Sequence, residues 1–368
     1  MRSYLVMVIF ASWLCHGYSQ NYDLRKQIER IIKYDLNSEI NRVPGFMVGI
    51  IDQDQTFVEK FGINPITNKE LIGNEIFEIS NISKAVTFEV CSLLENKLSR
   101  FLDAIINNWI DEKYKNPRLN QLTIRALLNI ENIFPNVLVG NGLIDIDGLN
   151  PYHHLDNDAL FKLFKNFIPE QDNLTNVYSN IDYGLIQPIV ENFTGQDFQT
   201  VIDQTINEYL DSKFFYTRFE QFEHIVTPGI KRSGTLGKPW DITNFASALG
   251  MKASMSDLLN FARYKIEKHL EKDISEWSQL HDKLPETWNP QVKAFEGMFL
   301  IKINNYTKVL VSSGQSDIHN TFIAIAPLTK TAVIVLSNSS EGTQDLGMLV
   351  LRMINNKWKR KTKIQNVK

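Results

Sequence analysis

The chain has 368 residues, of which 43% are hydrophobic and 22% charged, with a formal net charge of -3. This is ordinary globular composition, long enough for one large α/β domain or two medium ones, and it excludes an intrinsically disordered chain. The near-neutral balance leaves no electrostatic footprint for nucleic acid. No stretch approaches the roughly 20 uninterrupted apolar residues of a membrane span.

At the N-terminus, Arg2 precedes an apolar run from Leu5 to Leu14, followed by the small residues Gly17 and Ser19. This is the pattern of a secretory signal peptide, with cleavage near Gln20 and an uncleaved anchor as the alternative. The expected product is a secreted chain: residues 1–19 as leader, 20–355 as one domain and 356–368 as a basic tail. Cleavage removes Cys15 and leaves Cys91 without an intramolecular partner, so the core must hold without disulfides. Sequons at Asn173, Asn192, Asn305 and Asn338 fit a secretory route to glycosylation, and a fifth falls at Asn81.

Leu24 to Leu36 carries a helical pattern. Phe46 to Ile51 and Thr56 to Phe61 form a predicted hairpin about the turn Asp52 to Gln55. The segment from Phe77 to Thr87 reads as a turn feeding a helix, with Ser80 or Asn81 as N-cap and Val86, Phe88, Val90, Leu93 and Leu94 continuing it. Lys84 falls in the first turn. A residue three positions before such a lysine shares its face, and a serine there would be activated as a nucleophile. That position is Asn81. An amide nitrogen, its lone pair delocalised into the carbonyl, cannot replace an attacking alkoxide. Ser80, four before the lysine, is the substitute nucleophile to weigh, whereas Ser83 is rotated about 100° away.

Further helices are expected around Leu93 to Leu128, broken at Asn116 and Pro117, and from Ser256 to Leu270. The Gly- and Asn-rich stretch from Ile133 to Asn157 reads as a surface loop. Strands follow at Met298 to Ile303, Lys308 to Ser312, Thr321 to Ile325 and Ala332 to Leu336, then a last helix from Leu346 to Ile354. Both chain ends thus complete one sheet, with a helical insertion between. His153 and His154 are adjacent rather than spaced for a metal, and no H-E-x-x-H occurs. Gly234 and Gly237 before Lys238 lack the spacing of a phosphate-binding loop. No cofactor is expected. The tail holds Lys357, Lys359, Arg360, Lys361, Lys363 and Lys368, a solvated run that could also meet a polyanionic matrix.

Several segments, in this order and spacing, resemble the class C-like serine hydrolases of the β-lactamase and penicillin-binding superfamily, peptidase family S12. They are Val43-Pro-Gly-Phe-Met-Val-Gly49, Phe77 to Lys84, Leu122-Thr-Ile-Arg-Ala-Leu-Leu128, Val177-Tyr-Ser-Asn-Ile-Asp-Tyr-Gly184, Ser256 to Phe261, and Phe322-Ile-Ala-Ile-Ala-Pro327 followed by Val333 to Asn338. The resemblance implies an α/β (α+β) fold with a five-stranded antiparallel sheet flanked by helices, a helical lobe, and an active site in the groove between them.

Of the family's three motifs, S-x-x-K reads Asn81-Ile-Ser-Lys84, so the lysine stays and the acyl-forming serine goes. Y-x-N is intact at Tyr178-Ser-Asn180, implying Tyr178 as proton acceptor and Asn180 as a substrate-amide ligand. K-T-G or H-x-G reads Ser312-Ser-Gly314, without the cationic or imidazole side chain, and the H-T-S-G-type segment is Asn129-Ile-Glu-Asn-Ile133. The expectation is a secreted β-lactamase-like protein that has lost serine hydrolase activity. It would bind a small-molecule or peptide ligand in its groove, or act among extracellular matrix partners such as those of a shell. The alternative is an active esterase or D-peptidase using Ser80 with Lys84 and Tyr178.

Overall fold

The computed structural model describes residues 24–36, 42–128, 134, 152, 155–169, 179–210, 215, 217, 226–270, 292–303, 308–342 and 344–365. The expected leader, the sequons at Asn173 and Asn305, Tyr178, His153, His154 and most of the loop from Ile133 to Asn157 lie outside these residues.

Helix α1 spans residues 24–34. It is followed by β1 (Gly45–Asp52), β2 (Gln55–Gly62), the short β3 (Ile76–Glu78) and α2 (Ile82–Lys97). Four helices come next: α3 (Ile124–Leu128), α4 (Asn157–Asn166), α5 (Asn180–Thr194) and α6 (Phe198–Ile202). Then come β4 (Lys252–Ser254) and α7 (Met255–Leu270). The chain closes with β5 (Val292–Phe295), β6 (Met298–Lys302), β7 (Lys308–Gln315), β8 (Asn320–Ala326), β9 (Thr331–Ser337) and α8 (Gln344–Gln365).

The main sheet is seven-stranded, in the order β2-β1-β9-β8-β7-β6-β5, and every pairing in it is antiparallel. A second sheet pairs only β3 with β4. The class is as expected, but the main sheet is wider than five strands. Val292–Phe295 pairs with β6 as a further strand, and the three-residue strands β3 and β4 are too short for alternation to reveal.

Period-2 geometry explains why the central strands read as unbroken apolar runs. In β1, Met47 and Ile51 enter one core, whereas Phe46, Val48 and Ile50 enter another on the opposite face. Strand β9 divides likewise, with Ala332, Ile334 and Leu336 on one side and Val333 and Val335 on the other. The first core is shared with α2, α7 and the helical lobe; the second packs Leu24, Ile28 and Ile31 of α1 and Leu346, Val350, Leu351 and Ile354 of α8. At about 1.5–3 kcal/mol per buried large aliphatic side chain, these two layers are the main source of stability. Cys91 is a free thiol buried in the first core, and burial pushes it up, out of reach of ordinary thiolate chemistry.

Three expectations are corrected. The last helix does not stop at Ile354 but continues through Gln365, so the segment expected as a tail is helical for most of its length. Asn81 sits at the N-cap position of α2, but in right-handed helical conformation and with no side-chain cap hydrogen bond. Asn338 is fully buried: its Oδ1 accepts from Gly45 N at 2.8 Å and its Nδ2 donates to Ile63 O at 2.9 Å. It ties the end of β9 to the β1–β2 hairpin and leaves no space for a glycan. Asn192 is exposed, its amide donating to Trp109 O.

Asn338→Ala would strand a buried N–H and C=O, and we expect a loss of about 2–4 kcal/mol in denaturant unfolding, with mass spectrometry finding Asn338 unmodified in the native protein. At the start of α7, Asp257 Oδ2 accepts from the backbone N and the hydroxyl of Ser254 at 2.7 and 2.6 Å. Burial raises its carboxyl from 3.8 to about 7, against those two hydrogen bonds. The folded state therefore holds this proton more tightly than the unfolded chain. Its contribution to stability is complete below about pH 4 and is lost as pH rises through about 7. Equilibrium unfolding across this range should show a shallower decline in Asp257→Asn than in the wild type.

Candidate active-site groove

The segment that enters α2 turns sharply. Ile79 N donates to Met251 O, and Ser80 follows at φ +44°, left-handed for a non-glycine residue. Such a conformation costs on the order of 1–3 kcal/mol and persists only where its surroundings hold it. Here Ser80 Oγ donates to Gln315 O of β7 at 3.0 Å, and Ser80 is only 2% exposed.

Strand β7 receives this turn along one edge. Its pairing with β6 runs from Lys308 to Val311 only, whereas its pairing with β8 continues to Gln315. The edge from Ser312 to Gln315 is therefore left by β6 and faces the start of α2. Gly314 belongs here for a steric reason: a Cβ on it would fall 2.4 Å from Ile79 O and 2.8 Å from Ser80 Cβ. The glycine of the third motif is a condition for the close approach of β7 to the helix start.

Asn81 spans the junction. Its Nδ2 donates to Ser313 O at 3.1 Å, and its Oδ1 accepts from Lys84 Nζ at 2.7 Å. The side chain three positions before the lysine does share its face, as helical geometry requires. Lys84 is fully buried, and that burial holds its ammonium well below the usual lysine range. A desolvated amine of this kind would suit proton abstraction from a neighbouring hydroxyl. At position 81 it meets an amide carbonyl, which accepts a hydrogen bond and has no proton to give.

Ser312 lies two residues before Gly314 on β7. It is 1% exposed, and its Oγ has no hydrogen-bond partner among the described residues. On the lobe side, Ser179 caps α5 by accepting from Ile181 N and Asp182 N, which fixes Asn180 in the first turn. Asn180 Nδ2 donates to Tyr152 OH at 3.0 Å. Tyr152 stacks on Phe245 with ring centroids 5.2 Å apart and meets Trp240 edge-on at 6.2 Å. The structure thus brings Ser80, Asn81, Lys84, Ser312 and Gly314 together around β7 and α2, and sets Asn180 against Tyr152.

Two contributors escape sequence reasoning. Tyr152 falls in the stretch from Ile133 to Asn157, whose composition signals only surface exposure. A buried cluster braces the β7–β8 turn: Ser316 Oγ donates to Glu78 Oε2 at 2.6 Å, Trp240 N donates to Glu78 Oε1, and His319 Nδ1 accepts from Glu78 N. His319 Nε2 lies 2.8 Å from Thr227 O, so with Nδ1 accepting from Glu78 N, Nε2 is the ring's donor. Glu78, Ser316 and His319 lie far apart in sequence, and nothing in their local spacing links them. Among the described residues, no group of His, Cys, Asp or Glu is disposed to hold a metal, and no helix is long and apolar enough to cross a membrane.

Known structures share this architecture. A β-lactamase/D-alanine carboxypeptidase from Pseudomonas syringae superposes with a TM-score of 0.68 at 15% identity, covering 90% of this chain and 99% of its own. A class C β-lactamase from Rhodobacter sphaeroides gives 0.67 at 16%, covering 86% and 95%. At such identities the likeness is one of fold. Curated protein sequences give no significant match. The β-lactamase family profile aligns with residues 29–352, most of the chain and all of the groove, and the chain therefore belongs to the β-lactamase family.

Proposed function

We propose that this is a secreted β-lactamase-family protein that no longer performs serine hydrolysis and acts as an extracellular binding or matrix component. The observation that carries the reading is the position of Asn81, whose amide is engaged at both ends, by Lys84 Nζ and by Ser313 O. In this arrangement the position three before the lysine offers it an acceptor to hold and no hydroxyl to activate. Loss of the nucleophile from a catalytic constellation removes about 10⁴–10⁶ of the rate. The replacement of a cationic residue by Ser312 supports the same reading, since a substrate carboxylate would find no partner there.

Backbone groups are indifferent to these substitutions. In an extended strand the N–H and C=O of one residue point to the same side, so Gln315 N–H lies on the edge where its carbonyl meets Ser80. A carbonyl-bearing ligand can be held by such a donor without being cleaved. The secreted location and the glycan at Asn192 belong to this proposal, carried by the leader pattern and by the exposure of that side chain.

The rival, Ser80 as nucleophile, requires its Oγ to face Lys84. Instead Ser80 donates to Gln315 O and is held buried by a left-handed backbone, which favours a structural role in the turn.

The test is hydrolysis of a chromogenic cephalosporin and a p-nitrophenyl ester by the wild type beside Asn81→Ser and Ser80→Ala. We expect no turnover above background from the wild type and a gain in the Asn81→Ser variant, modest because the third motif is still incomplete. Clear wild-type turnover that Ser80→Ala abolishes would overturn the proposal.

A further inference from the structure

A second concavity lies on the other face of the sheet from α2. It has a volume of about 280 Å³ and is lined by Arg232, Gln315, Asn320, Ser340, Glu341, Gly342, Gln344 and Asp345. Gln315 and Asn320 are cross-strand partners. Two residues along β8 from Asn320, Phe322 packs with Leu346 and Val350 of α8, so alternation places Gln315 and Asn320 on the α8 side. The pocket therefore closes over the start of α8 and does not share the environment of Lys84.

Its chemistry is set by Glu341. This side chain is only 9% exposed, yet its carboxylate accepts no hydrogen bond among the described residues, and its one ion pair is to Arg232 Nε at 3.8 Å. Arg232 is 81% exposed and solvated, so it compensates the carboxylate poorly. A carboxylate that borders a polar cavity and accepts no hydrogen bond from the described residues is open to a ligand that brings donors. The N-terminal end of α8 would by itself favour an anion, but Asp345 in its first turn offsets the dipole. Gln315, Asn320 and Gln344 also line the wall, and Gln315 Nε2 donates to Ser340 O at 3.0 Å, which leaves its amide oxygen as an acceptor.

We infer that this pocket binds a small molecule carrying a primary ammonium group, with Glu341 as its counter-ion and Asp345 as the second acidic contact. The ammonium has three donors and no acceptor, which suits a wall of carboxylate and amide oxygens. The volume, at the lower end for ligand sites, restricts the guest to a few carbons beyond the amine. Glu341 and Asp345, the acidic groups of this site, take no part in the contacts of Asn81 and Lys84, although Gln315 borders both places.

Calorimetric titration of the full chain with n-butylamine and, separately, with butyrate tests the charge preference on a common carbon chain. The expected result is saturable binding of butylamine, with a Kd on the order of 1 mM, and none of butyrate. Glu341→Gln should weaken butylamine about tenfold or more. Asp345→Asn, an exposed change that leaves the core untouched, should weaken it several-fold and keeps the test valid if the first variant folds poorly. Arg232→Gln should strengthen butylamine, since it removes the competing cation. Preferential binding of butyrate, weaker amine binding in Arg232→Gln, or no saturable binding of butylamine would each overturn the inference.

Discussion

One side chain holds the groove in its present form. Asn81 reaches across from the start of α2 to Ser313 on β7 while receiving the amine of Lys84, so one amide satisfies a strand carbonyl and a desolvated lysine together. A desolvated amine gains from an acceptor and a strand carbonyl from a donor, each worth on the order of 1 kcal/mol. The left-handed turn at Ser80, the absence of a side chain at Gly314 and the bracing of the β7–β8 turn by Glu78 all serve the same close approach. A serine at position 81 would be too short to span this junction. The proposal of a groove that binds without cutting rests on this double engagement.

The energy for such an arrangement comes from elsewhere. Two apolar layers, one on each face of the seven-stranded sheet, leave room for a polar, partly strained site at the end of α2. A second polar assembly steadies the same helix. Lys265, wholly buried, pairs with Glu89 of α2 and with Glu296 at the β5–β6 turn. Gly297 of that turn lies so near Lys84 O that a Cβ would fall 2.5 Å from it. Buried ion pairs of this kind add little net stability over a hydrophobic filling, and what they contribute is geometry. Here they seat the hairpin against the first turn of α2, behind the groove.

Much of this was legible from residues that lie close together in the chain. The strand runs from Phe46 and Thr321 and the helix behind Lys84 follow from periodicity, a local quantity, and the order of the motif segments carries the resemblance to the β-lactamase family. The juxtaposition of Asn81 and Lys84 follows from helical geometry alone. What escaped were relationships made by tertiary contact. Asn338 matches a glycan sequon, yet its neighbours Gly45 and Ile63 come from the other end of the chain and bury it. Tyr152 reads as loop until the fold sets it against Asn180. The strand at Val292–Phe295 is defined by its partner β6, and β3 by β4. Ser80 appeared a possible nucleophile because sequence records its distance from Lys84 along the helix and not the backbone turn that directs its hydroxyl to Gln315.

The proposal turns on whether any hydroxyl bordering Asn81 and Lys84 can form a covalent bond with a carbonyl or phosphoryl centre. Intact-mass and peptide-level mass spectrometry of the purified native protein, after exposure to a fluorophosphonate and to a penicillin, asks this directly. The account predicts an unmodified chain under conditions that fully label an active serine hydrolase. A stoichiometric adduct on Ser80, or on any other serine bordering the groove, would contradict it.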